Sequence, residues 1–196
     1  MKILAISDLH GRPQPLEYLD QALGRLKPDL VLCTGDITEH RSSALDYLQS
    51  FLTLIKKTHG RELFAIHGNN DGVEVFDLLE ATGVSLHLKI REFGGYRFSG
   101  IGGWGDLSER VLDQEAAEGF SPAGTVFLTH VPPRYTEAPL VNLPLIHLCG
   151  HAHSVERVEE YAGIKVVRIK TAMLGRGCLL ELPSLETEFI DLTDRP

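Results

Sequence analysis

The sequence predicts an α/β layered sandwich, and three observations carry that expectation. Short apolar runs recur along the chain. Stretches of helical periodicity separate the early runs, so the first half reads β-α-β-α-β-α. The last third reads as strands joined by turns.

The elements follow in order. "KILAIS" (2–7) is a first strand. Leu16, Leu19, Leu23 and Leu26 then line one helical face, opened by prolines and stopped at Lys27-Pro28. "DLVLCTG" (29–35) is a second strand, and Leu45, Leu48, Leu52 and Ile55 form a second stripe, with Ser42 or Ser43 as its cap and Gly60 as its stop. "ELFAIHG" (62–68) precedes a third stripe, Val75, Phe76 and Leu79, which ends near Gly83. "YRFSGIG" (96–102) is a strand, and a fourth helix is expected after Ser108. "TVFLTH" (125–130), "LIHLCG" (145–150), "IKVVRI" (164–169), "CLLEL" (178–182) and the alternating "ETEFIDL" (186–192) complete the strands. The early runs are almost continuously apolar, as strands buried on both faces are. The Pro-rich loop 131–144 is long for a compact domain, and long loops are often functional. No repeat, linker or low-complexity segment interrupts the pattern, so residues 1–196 are expected to form one domain.

Composition narrows the function. The chain has 196 residues, 43% hydrophobic and 23% charged, a globular balance. Its formal net charge is −8. A nucleic-acid binder carries a basic footprint, and the lysines and arginines here are scattered, so strong non-specific nucleic-acid binding is not expected. A small phosphorylated substrate is compatible with this charge, because a bound metal supplies local positive charge. Cys33, Cys149 and Cys178 are far apart and show no paired spacing, which suits buried thiols in a reducing compartment. The start of the chain lacks the apolar region and cleavage site of a signal peptide, and no stretch approaches the ~20 apolar residues of a membrane span. The expected location is cytoplasmic and off the membrane. The sequence leaves room for a homo-oligomer.

The most informative letters stand at the strand ends. One strand is followed by Asp8 and His10, the next by Asp36, the next by Asn69, and later ones by His130 and by His151 with His153. Singly, each has an ordinary reading: Asp8 and Asp36 as turn residues, His130 as a core histidine, His151 and His153 as an isolated HxH. Jointly they put a metal-type donor at the same end of five strands, where open α/β sheets bind ligands. The set holds two carboxylates, one amide and four imidazoles, enough for two ions that share a carboxylate. Mixed nitrogen and oxygen donors without thiolate point to Mn²⁺ first, with Fe, Zn²⁺ and Ni²⁺ as alternatives. His40, His59 and His87 lack this placement and read as surface residues, and His147 reads as a strand residue.

"SDLHG", "GDITE", "GNND", "THVPP" and "GHAHS", in that order over residues 7 to about 154, resemble the motifs of the calcineurin-like metallophosphoesterases. The resemblance implies a four-layer α-β-β-α sandwich with a dinuclear centre. One ion would be held by Asp8, His10, Asp36 and His153, the other by Asp36, Asn69, His130 and His151, with Asp36 bridging. It implies a phosphohydrolase that uses a metal-bridging hydroxide on a small phosphodiester or nucleotide. Arg12 and Arg134 each follow a motif closely and could reach the phosphate, as arginine's fork suits; both could equally be surface residues.

The sequence departs from the family in one letter. Where the fuller motif has a histidine after the asparagine, this chain has Asn70. Asn70 can donate a hydrogen bond to a phosphate but cannot act as a general acid, and losing such an acid typically costs about 10²–10⁴-fold. Good leaving groups and diesters are therefore the expected substrates. A phosphomonoesterase acting on phosphoproteins is disfavoured by the chain's small size and by this change. The other reading kept open is a metal-stabilised protein-binding scaffold that resembles the retromer subunit of this fold. His67 reads as a packing residue rather than a replacement acid, and Asp71 as a cap for the next helix. Trp104, in the glycine-rich "GIGGWGD", reads as a core or rim residue, with stacking on a base as the alternative.

Overall fold

The computed structural model describes residues 1–39, 43–104, 123–133, 143–161 and 163–194. The apolar runs become two sheets. Sheet A has the order β11-β10-β1-β2-β3, built from β1 (Lys2–Ile6), β2 (Leu30–Cys33), β3 (Glu62–Ala65), β10 (Arg176–Glu181) and β11 (Glu186–Asp191). Sheet B has the order β4-β5-β6-β7-β9-β8, built from β4 (Ile90–Phe93), β5 (Tyr96–Ile101), β6 (Val126–Thr129), β7 (Ile146–Cys149), β8 (Arg157–Tyr161) and β9 (Ile164–Arg168). Strands β1, β2 and β3 run parallel, as do β5, β6, β7 and β9, while the remaining pairs are antiparallel.

Alternation within the continuous runs explains why they are apolar throughout. Ile3 and Ala5 of β1, with Leu30 and Leu32 of β2, face sheet B and pack with Phe98, Val126, Leu128, Leu148 and Val167. Leu4, Ile6, Val31 and Cys33 point the other way, into a second core with helices α1 (Pro13–Leu26), α2 (Ala44–Leu52) and α3 (Val73–Ala81). These strands bury both faces, and each fully buried leucine or isoleucine contributes about 1.5–3 kcal/mol of transfer free energy. The layers are thus helices, sheet A and sheet B; the helix expected after Ser108 lies outside the described residues. Among the described residues no helix is long and apolar enough to cross a membrane.

Helix α1 keeps its expected limits, with a proline in its first turn and Lys27 in the left-handed region (φ 48°) as its C-terminal cap. Three expectations change. Ser43 precedes α2 but its side chain makes no capping bond, and Ser42 lies outside the described residues. Leu45 is 39% exposed, because Ala44 and Phe51 take the inner face with Leu48. The helix does not run on regularly to Gly60 but widens into a π-helical stretch, Thr53–Thr58, which keeps Ile55 buried.

Candidate metal centre

The loops after β1 and β2 are laced together by their backbones. Asp8 N donates to Gly35 O at 3.0 Å, Leu9 N and His10 N both donate to Asp36 O at 2.9 and 3.0 Å, and Gly11 N donates to Ile37 O at 2.9 Å. Asp8, His10 and Asp36 all sit at positive φ (57°, 51° and 51°), as does His151 (63°). Aspartate and histidine tolerate the left-handed region better than most residues, yet each such residue still costs of order 1–3 kcal/mol, a strain typical of functional sites.

Glycines allow the close approach. A Cβ on Gly68 would lie 2.1 Å from Asp36 Oδ1, and one on Gly150 would lie 1.8 Å from Ser7 Oγ and 2.9 Å from Asp8 Oδ2. The turn after "ELFAI" is therefore punctuation and site at once: its glycine is the floor on which Asp36 rests.

Asp8, His10, Asp36 and His153 converge, with one ligand-type atom from each lying within 4.8 Å of all the others. His10 Nε2 faces His153 Nε2 at 3.0 Å. Asp8 Oδ1 is 3.2 Å from His153 Nε2 and 3.8 Å from His10 Nε2, and His10 Nε2 is 3.6 Å from Asp36 Oδ2. The adjoining group meets at Asp36. His130 Nε2 is 3.3 Å from Asp36 Oδ2, and His151 Nδ1 is 3.3 Å from His130 Nε2. Nδ1 of His130 donates to the Thr34 carbonyl at 2.9 Å, which aims Nε2 into the centre. The second carboxylate oxygen of Asp8 accepts from His151 N at 3.1 Å, and Thr171 Oγ1 donates to Asp8 O at 2.7 Å.

Two observations test whether this donor set fits divalent ions. Asp8 Oδ1 and Asn69 Oδ1 are buried and accept no hydrogen bond. A buried carboxylate oxygen that accepts no hydrogen bond is costly. Two imidazole nitrogens at 3.0 Å beside it also need a positive charge or a proton between them. A cation answers both needs, and imidazole with carboxylate and amide oxygen is a donor set for Mn²⁺, Fe or Zn²⁺. None of the three thiols is among the converging donors, and burial pushes them up, Cys149 and Cys178 to about 12.

Asp36 is the electrostatic hinge. Burial would raise its pKa, but the His130 ring and the Asn70 amides outweigh that and hold it down at about 2. Asn70 gives Asp36 both its backbone N (2.8 Å to Oδ1) and its side-chain Nδ2 (2.7 Å to Oδ2). For His130, burial lowers the pKa, and the Asp36 carboxylate more than reverses it.

Several sequence expectations change here. Asp71 does not cap α3, whose N-terminal cap is Gly72. It accepts from Gly68 N (2.8 Å), Ile37 N (3.2 Å), Thr38 N (2.8 Å) and Thr38 Oγ1 (2.9 Å), stapling the loop after β2 to the loop after β3. His87 is not a free surface residue. Its Nδ1 accepts from Gly102 N at 2.9 Å, and its ring lies 4.8 Å from that of His67 and 5.6 Å from that of Phe76. His67 packs there as expected, and burial holds its pKa down to about 4. His59 is an outer residue paired with Asp20 at 2.6 Å, and His147 lies in β7, fully buried. Trp104 is a rim residue, 70% exposed, its ring 5.6 Å from that of His151. Arg12 is half exposed, with Nη2 3.8 Å from Glu39 Oε1. Glu39 Oε1 also lies 3.7 Å from His10 Nδ1, a partner that the sequence signals only as the last letter of "GDITE". Arg134 and His40 lie outside the described residues.

Solved structures share this architecture. TT1561 of Thermus thermophilus aligns with a TM-score of 0.75 at 18% identity, covering 97% of this chain and 98% of its own. A novel archaeal phosphodiesterase aligns with a TM-score of 0.60 at 16% identity, covering 97% and 99%. The E. coli phosphoesterase Yfce aligns with a TM-score of 0.58 at 14% identity, covering 98% and 100%. No curated protein sequence matches the chain significantly. Residues 1–161 match the calcineurin-like phosphoesterase family, and with the strand-end centre described above the chain belongs to that family.

Proposed function

We propose that this phosphoesterase is a dinuclear-metal phosphodiesterase acting on a small diester, with Mn²⁺ as its preferred ion and the cytoplasm as its place of work. The observation that carries the reading is the convergence of Asp8, His10, Asp36 and His153 on one point, beside a buried Asp8 oxygen that accepts no hydrogen bond. Asp8, His10, Asp36 and His153 would hold one ion, and Asp36, Asn69, His130 and His151 the other. When bound, the ions supply Lewis acidity toward the phosphoryl oxygens and lower the pKa of water to make a nucleophile near neutral pH.

The chain's own residues do the rest. Asp36, held well below the usual carboxylate range by His130 and Asn70 despite its burial, is ionised near neutral pH. The Thr34 carbonyl takes the Nδ1 proton of His130, so Nε2, which faces Asp36, is the nitrogen that would meet an ion once its own proton leaves. Arg12 and Arg134 are assigned to the outer phosphate oxygens. Asn70 orients Asp36 and has no proton to give a leaving group. Leaving groups that depart without protonation therefore suit this site, and this favours activated diesters over alkyl monoesters.

Hydrolysis of bis(p-nitrophenyl) phosphate by metal-stripped protein, with and without Mn²⁺, tests the reading. Mn²⁺-dependent turnover that exceeds turnover of p-nitrophenyl phosphate is expected. Binding of two ions with no turnover under Mn²⁺, Fe²⁺, Zn²⁺ or Ni²⁺ would instead support the scaffold reading, which rests on Asn70 standing where the acid would be.

A further inference from the structure

Trp104 is the only tryptophan in the sequence, and nothing in the reaction outlined above uses it. It is 70% exposed, although a large aromatic side chain normally buries most of its surface. The backbone that carries it is held firmly. Gly102 N donates to His87 Nδ1 at 2.9 Å, and Gly103 N donates to His67 O at 2.8 Å. A Cβ on Gly102 would lie 2.4 Å from His67 Nδ1, so this turn is pressed onto the residue two before Asn69. Gly103 adopts φ 74°, which turns the chain outward. The result is an indole set edge to face against His151, with ring centres 5.6 Å apart and planes at 70°. One rim of the indole is spent on the centre, and most of the ring remains in solvent. Its exposed face stands beside His151, one of the donors of the centre.

We propose that Trp104 is an aromatic platform of the substrate site, so that the favoured diester carries a planar aromatic group, a nucleobase or an aryl ring, next to its phosphate. Stacking of that group on the indole tolerates many ring types, because each presents a π face. The inference rests on the phosphodiesterase reading for its reaction, but its binding part can be tested without turnover.

Excited at the red edge, where the tyrosines do not absorb, the emission of the Zn²⁺-loaded protein reports Trp104 alone, since the chain has no other tryptophan. Titration with adenosine 5′-monophosphate is expected to change that emission saturably, and ribose 5-phosphate or inorganic phosphate to change it far less. Equal responses to all three, or no response to the nucleotide up to millimolar concentration, would overturn the platform whether or not the protein is an enzyme. In turnover, the ratio of kcat/KM for bis(p-nitrophenyl) phosphate over that for a glycerophosphodiester is expected to fall about 5- to 100-fold in Trp104→Ala. Trp104→Phe should restore most of the ratio. An unchanged ratio in an active Trp104→Ala protein would reject the platform and leave the phosphodiesterase reading standing. Wild-type protein inactive on both diesters would reject that reading, and the nucleotide titration would then decide the platform alone.

Discussion

Sheet A and sheet B contribute unequal donor sets to the centre: carboxylates with His10 and Asn69 from one, imidazoles alone from the other. Sheet A gives both carboxylates, from loops tied to each other by Asp8 N–Gly35 O, His10 N–Asp36 O and Gly11 N–Ile37 O bonds, and leaves Asp8 and Asp36 fully buried. Sheet B gives His130, fully buried, and the His151–His153 turn, which bonds largely to itself (Ala152 N–Gly150 O, His153 N–His151 O) and leaves the His153 side chain 44% exposed. The negative charges are therefore held where the backbone is least free. Part of the neutral donor set sits on a turn tied to sheet A's loop through His151 N–Asp8 Oδ2. Such a division puts the charges that attract cations on sheet A and three of the four imidazoles of the centre on sheet B.

The strongest way to break the comparison is at the residue that both halves touch. Asp36→Asn removes the charge facing His130 and disturbs both amide bonds from Asn70; diester turnover should fall at least about 10²-fold, and calorimetry should show weaker divalent-ion binding. Turnover at the wild-type level would mean that the halves do not share this carboxylate.

Asp71→Ala acts within sheet A's half only. It leaves the backbone amides of Gly68, Ile37 and Thr38 without their acceptor, and urea unfolding should show a loss of about 2–4 kcal/mol. A loss below about 1 kcal/mol, the worth of a single ordinary hydrogen bond, would show that the two loops do not depend on this staple.

Acid sharpens the comparison. Burial depresses the pKa of His147 in sheet B to about 3. The unfolded chain takes up that proton below about pH 6.5 while the folded protein refuses it, so stability falls as pH drops, by about 1.4 kcal/mol per pH unit for this group. Asp36, held at about 2, stabilises the fold above the ordinary carboxylate range and loses that contribution only between about pH 4 and 2. His67, held at about 4, adds to the histidine slope. Urea midpoints of metal-free protein from neutral to mildly acid pH should therefore fall, and His147→Gln should flatten the fall by one histidine's share.

The smallest effect is expected at the outer edge. Glu39→Gln removes a partly exposed carboxylate 3.7 Å from His10 Nδ1 and 3.8 Å from Arg12 Nη2, and should lower stability by under about 1 kcal/mol in a thermal melt.

Legibility follows burial. Strands β1, β2, β3, β6 and β7 announce themselves because both faces are covered and the letters are continuously apolar. Strands β4 and β8 do not, since they are sheet edges whose sequences, "IREF" and "RVEEY", keep charged side chains in solvent. Each donor is visible as a letter at a strand end, because strand ends in parallel sheets are where ligands gather. Partners across loops are not visible. Asp71 reaches Thr38 across 33 residues, and no local pattern distinguishes that reach from a helix cap. The placement of His87 against His67 likewise depends on Gly102, which carries no side chain to signal it.

The centre is assembled from residues as distant as Asp8 and His153, so it exists only once both sheets have formed and docked. An ion that recognises only that finished arrangement cannot guide early folding. Bound there, it would stabilise the native state by mass action. Metal supply would then set the lifetime of the protein against proteolysis as well as its rate of turnover.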